Sequence, residues 1–135
     1  MPEVYYQVPV LGVVRLDLPE IPPLLALQAH VPGLCETACR PDTLSLTYNQ
    51  QQSDILYDGA RHISLGGPWS TERNGDTPHL LYALCRRAWL QQGYGLMHAA
   101  ALQGPDAGAV LLVGHSGSGK TTISEHACAS KAFRL

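Results

Sequence analysis

One stretch constrains this chain more than any other: GAVLLVGHSGSGKTTISEHA, from Gly108 to Ala127. The apolar run Val110 to Val113 reads as a buried strand, and helix-compatible residues follow from Thr121 to Ala129. Between them Gly114-His115-Ser116-Gly117-Ser118-Gly119-Lys120-Thr121 fits the Walker A pattern G-x-x-x-x-G-K-[ST] at every fixed position. The glycines let the backbone curl so that successive N–H groups face one concavity, and the next helix adds unpaired N–H groups and the positive end of its dipole. Lys120 is suited to reach β- and γ-phosphates, and the Thr121 hydroxyl to coordinate Mg²⁺. The expected phosphate-binding set is Gly114, His115, Ser116, Gly117, Ser118, Gly119, Lys120, Thr121 and Thr122, with Thr121 as the metal ligand. The bland alternative is an ordinary glycine-rich turn from strand to helix.

Around this loop, 135 residues suffice for one domain with a single core. With 45% hydrophobic and 15% charged residues, and 9 Lys plus Arg against 11 Asp plus Glu, the chain reads as globular and slightly acidic. That composition fits neither a disordered acidic tail nor a basic nucleic-acid surface. No apolar run approaches the roughly 20 residues of a membrane helix, and the start lacks the basic region of a secretory signal. The cytoplasm is the expected compartment. Of Cys35, Cys39, Cys85 and Cys128 only the first two stand close together, as C-x-x-x-C without a matching second cluster, so the four read as reduced structural thiols.

Along the chain, residues 1–76 read as a β-rich N-terminal region and 77–135 as a helix plus the nucleotide-binding segment, together one domain. Val4 to Leu18 suggests one or two strands near a sheet edge. Leu24 to Val31 suggests a short helix begun by Pro22-Pro23 and ended by Pro32-Gly33, with a loop through Pro41-Asp42. Thr43 to Tyr48 alternates as a half-buried strand, and Ile55 to Leu65 reads as a hairpin turning at Asp58-Gly59. Gly66 to Asp76 reads as the main surface loop. Thr77-Pro78 then offers an N-cap and a first-turn proline for a helix to about Gln92, whose apolar stripe is Leu81, Leu84, Cys85 and Ala88. Arg86 and Arg87 fall on its solvated face. Leu96 to Leu102 and Ala109 to Gly114 read as two strands joined by a turn at Gln103 to Asp106. Strands so closely connected cannot be parallel neighbours, because a parallel crossover needs a dozen or more residues.

MHAAAL, GAVLLVGHSGSGKTT and KAFRL together resemble the nucleotide-binding domain of HPr kinase/phosphorylase-like proteins, over about Met97 to Leu135. The resemblance implies a phosphoenolpyruvate-carboxykinase-like α/β fold, with the phosphate loop on a mixed, largely antiparallel sheet near the C-terminus. It also implies ATP and Mg²⁺ as cofactors, a protein or peptide hydroxyl of the serine type as phosphoryl acceptor, and assembly into a homo-oligomer. His98 matches the family's histidine near the transferred phosphate and is the candidate catalytic residue; read without the resemblance, it is a core histidine within an apolar strand. His115 stands where the family often has Asp. The sequence ends at Arg134-Leu135, where the family's acidic pair would follow, so the chain reads as stopping short of the acceptor's base and a Mg²⁺ ligand. His30, His62, His79 and His126 read as structural or solvated.

Two other classes stay open. The same loop matches ABC transporter ATPases, whose glutamine loop, LSGGQ-type segment and Asp-Glu strand are absent here. A non-catalytic binding or adaptor module could use the loop to hold a structural anion.

Overall fold

A computed structural model describes residues 2–38, 43–59, 61–106 and 108–135. Cys39 and the Pro41-Asp42 end of the first expected loop lie outside them. The chain forms two compact units, Met1–Gly95 and Leu96–Leu135. The helix that composition grouped with the glycine loop therefore belongs to the first unit.

The first unit is built on β1 (Glu3–Val8), β2 (Gly12–Asp17), α1 (Leu24–Gln28), β3 (Cys35–Glu36), β4 (Leu44–Tyr48), β5 (Leu56–Tyr57), β6 (His62–Leu65) and α2 (Thr71–Gln91). Its strands lie in the order β3-β1-β2-β4-β6-β5. Pairing is antiparallel except for β2 with β4 and β4 with β6, which makes the sheet mixed. The register sorts side chains by chemistry. Val4, Leu16, Leu46 and Ile63 stand in one cross-strand row, and Tyr5, Arg15, Ser45 and His62 in the next. Because successive strand residues face opposite sides, the first row enters the core and the second does not. Leu81, Leu84, Cys85 and Ala88 of α2 and Leu27 of α1 meet the apolar side.

Ser45 and His62 of the polar row are satisfied locally. The Ser45 hydroxyl lies 2.7 Å from His62 Nδ1, and Thr47 Oγ1 lies 3.4 Å from His62 Nε2. His30 packs edge-on against His79 with ring centroids 4.3 Å apart. Both arrangements support the structural reading of these histidines.

Several local expectations hold. Pro23 precedes α1, Leu44 and Leu46 are buried on one side of β4, and β5 and β6 form the hairpin, with Gly59 at φ +85°. The start of α2 does not hold. The helix begins at Thr71, where the Ser70 side chain accepts a bond from the Arg73 N–H, so 71–76 are helical rather than loop and Pro78 lies inside the helix. Pro78 has no N–H for the carbonyl of Asn74, and its ring ordinarily disturbs that turn. Hydrogen bonding by Thr77 Oγ1 to the Arg73 carbonyl at 3.4 Å occupies an acceptor in the preceding turn. Residues 35–36, read as loop, form the short edge strand β3.

The second unit holds β7 (Ala99–Gln103), β8 (Ala109–Val113) and α3 (Lys120–Ala129). β7 and β8 are antiparallel, as their short connection requires. Beyond α3 the chain returns to the other side of β7, where Gln103 and Arg134 exchange main-chain bonds of 2.7 and 2.9 Å. Two expectations change here. His98 precedes β7 instead of lying in a strand, and the Val110 to Val113 run is not buried: Val110, Leu111 and Val113 are 44, 55 and 63% exposed. Among the described residues, no helix is long and apolar enough to cross a membrane.

Candidate functional site

The site grows from the end of β8. Val113 delivers the chain to Gly114, where a Cβ would stand 2.6 Å from Ser118 Oγ, so this position is closed to larger residues unless Ser118 moves. The Ser118 N–H bonds the His115 carbonyl at 3.1 Å and closes a turn. Gly117 and Gly119 adopt φ values of +78° and +87°, the left-handed region that costs a residue with a Cβ about 1–2 kcal/mol. Those two reversals coil the loop back on itself and aim it at the start of α3.

Gly119 caps α3 and offers no side chain to the helix amides. The Ile123 N–H bonds the Gly119 carbonyl at 2.9 Å as the first intrahelical bond, so the preceding amides of the first turn have no intrahelical acceptor. Such amides, at the positive end of a helix dipole, suit an anion. Ser124, 2% exposed, donates to the Thr121 carbonyl at 2.8 Å and fixes the turn that carries Thr121.

Lys120 folds over the loop. Its Nζ donates to the carbonyls of Gly114 and His115, both at 2.8 Å. An ammonium held by two neutral carbonyls can exchange them for a stronger anionic partner.

Beside it opens a cavity of about 290 Å³ lined by His98, Ser116, Gly117, Gly119, Lys120, Thr121 and Thr122. Its volume is several times the ~30 Å³ that one water occupies. No carboxylate lines it, so nothing on its wall opposes an anion. The arrangement thus gathers His98 and most of the expected loop residues around one space. Gly114, His115 and Ser118 do not line it; they build the loop behind it, and Gly114 and His115 supply the resting acceptors for Lys120. Those acceptors, and Ser124 as anchor, were not legible in the sequence, since main-chain carbonyls and a serine in a helix leave no motif.

The residues present fit a magnesium polyphosphate: main-chain amides and one ammonium for the phosphates, one threonine hydroxyl for the cation. Among the described residues, no group of three or more His, Cys, Asp or Glu could hold a metal by itself. A divalent cation here would therefore depend on the phosphates for much of its coordination. A larger cavity in the first unit, about 380 Å³ beside Leu11, Arg61 and Gln91, has no comparable run of curled glycines.

No family model, curated protein or solved structure matches the chain.

Proposed function

We infer that residues 96–135 bind the polyphosphate of a magnesium nucleotide, ATP by the resemblance of its motifs, and that the protein in complete form would be an HPr-kinase-like phosphotransferase. One observation carries this reading: two left-handed glycines, an ammonium folded over the loop and a helix start converge on a single cavity free of carboxylates.

In this reading the amides at the start of α3 bind phosphate oxygens, and Lys120 exchanges the Gly114 and His115 carbonyls for the β- and γ-phosphates. The Thr121 hydroxyl would hold the cation, which would supply neutralisation of charge on the phosphates. The acceptor, a serine-type hydroxyl of a protein or peptide, attacks the γ-phosphorus as the bond to the bridging oxygen breaks. His98, the imidazole on the cavity wall, would stand near the transferred phosphoryl group, as the resemblance implies.

Titration with a fluorescent ATP analogue tests the binding step. Lys120→Ala removes a charge-assisted contact of roughly 1.5–3 kcal/mol, so affinity should fall about tenfold or more. Unchanged affinity would favour the adaptor reading, which draws on the ammonium being satisfied by its own loop. Transfer of labelled γ-phosphate to a peptide hydroxyl, lost in His98→Ala while nucleotide binding persists, tests the catalytic step.

A further inference from the structure

The first unit carries a cavity of its own, about 380 Å³, within the range of about 300–1,000 Å³ usual for small-molecule sites. It lies among the β1–β2 turn at Leu11, the start of β4 at Leu44, Arg61 just ahead of β6, and the C-terminal end of α2. Its lining divides by chemistry. Leu11, Leu44 and Ala88 are buried and make an apolar wall, while Arg61, Gln91 and Gln92 are exposed and make a polar rim.

The rim carries opposite polarities. The main chain of Arg61 is fixed on both sides: its N–H donates to Asp58 Oδ1 at 3.0 Å, and its carbonyl accepts from the Ser45 N–H at 2.9 Å. Its guanidinium makes no ion pair among the described residues, and no carboxylate of those residues lines the cavity. The position therefore suits an anion, best a carboxylate that the planar fork can bind through two bonds. Across the rim α2 ends with no basic side chain in its last turn. Among the described residues no main-chain N–H bonds the carbonyls of Gln91 and Gln92. A helix C-terminus is the negative end of its dipole, so this side suits a cation.

We propose that this cavity binds a free apolar α-amino acid. The ligand's carboxylate pairs with the Arg61 guanidinium, its ammonium meets the carbonyl end of α2, and its side chain lies against Leu11, Leu44 and Ala88. Each of the three groups of the ligand thus has a counterpart on the wall: anion to cation, cation to dipole end, apolar to apolar. A polyphosphate does not suit the same space, because one guanidinium cannot match its charge and the carbonyl end of α2 opposes it. Amino-acid binding in the first unit is therefore independent of the glycine loop.

Isothermal titration calorimetry of the full chain with L-leucine tests the proposal. Saturable binding is expected, with a Kd of about 1 mM or tighter. N-acetyl-leucine lacks the ammonium and leucinamide lacks the carboxylate, and each should bind about tenfold more weakly, as expected for the loss of one charge-assisted contact. Aspartate keeps both charges but loses the apolar side chain, and should not compete. Arg61→Gln removes the guanidinium at an exposed position and should weaken leucine binding about tenfold with an unchanged far-ultraviolet circular dichroism spectrum. Ala88→Leu fills the apolar wall and should abolish binding; should it misfold, Arg61→Gln decides alone. No binding of leucine up to its solubility limit, equal binding of leucine and its two derivatives, or an affinity untouched by Arg61→Gln would overturn the proposal.

Discussion

The first unit and the second spend similar strand chemistry on opposite ends. In the first, rows of Val, Leu and Ile close on two helices, and the interior holds fully buried Leu16, Leu46, Leu65, Leu81 and Leu84. In the second, Leu102 is the one buried hydrophobic side chain among the described residues, while Val110, Leu111, Val113 and Ile123 face solvent. One region derives its stability from apolar burial. The other is organised by main-chain bonds, left-handed glycines and a folded-over lysine. A core fixes a shape, and a coiled backbone presents donors; the comparison teaches that the candidate site of this chain sits where apolar packing is thinnest.

The strongest way to break the comparison is to remove a core side chain. Leu16→Ala should cost about 2–5 kcal/mol in urea unfolding, because the cavity left among β-sheet and helix cannot collapse fully. A loss below about 1 kcal/mol would show that the first unit is not held as described. Next in size, Gly119→Ala forces a Cβ into a left-handed conformation and should distort the loop. A cost of about 1–2 kcal/mol is expected, read as roughly tenfold weaker binding of an ATP analogue with the unfolding of the first unit unchanged.

A third test uses pH. Burial pushes the Cys85 thiol up to about 12 from its ordinary 9.0. Below pH 9 the thiol is protonated in folded and unfolded chains alike, and its contribution to stability is complete. As pH rises from 9 toward 12 the unfolded chain releases a proton that the folded chain retains, so stability falls. The slope from this group approaches ~1.4 kcal/mol per pH unit. Urea midpoints of the parent should therefore drop on going above pH 9 by more than those of Cys85→Ala; equal drops would place the thiol in water. The smallest effect belongs to Ile123→Ala on α3, 54% exposed, which should change stability by no more than about 0.5 kcal/mol.

What could be read from the sequence follows the same divide. Periodicity marked β4 and the buried stripe of α2 because burial there imposes a period on side chains. Asp58-Gly59 marked its hairpin because the turn needs a positive φ. The start of α2 was missed because Ser70 and Thr77-Pro78 are both valid openings, and only the bond from the Arg73 N–H to Ser70 decides between them. The strand β3 was missed because two residues carry no period. Val110 to Val113 misled in an instructive way: its composition predicts burial, and Val110, Leu111 and Val113 are exposed instead. In the candidate site the glycines and Lys120 were legible as a motif, since backbone curvature and charge leave fixed letters. The position of His98 ahead of β7, and its place on the cavity wall, depended on the hairpin that brings it there.

Amide chemical shifts of the ¹⁵N-labelled chain, followed during titration with magnesium ATP, test the account most directly. Saturable shifts should concentrate on Gly114 to Thr122 and on His98, should be reproduced in the loop by magnesium pyrophosphate, and should fade in Lys120→Ala. Shifts that instead collect around Arg61 and Gln91 of the first unit, or a loop that stays silent at saturating nucleotide, would contradict it.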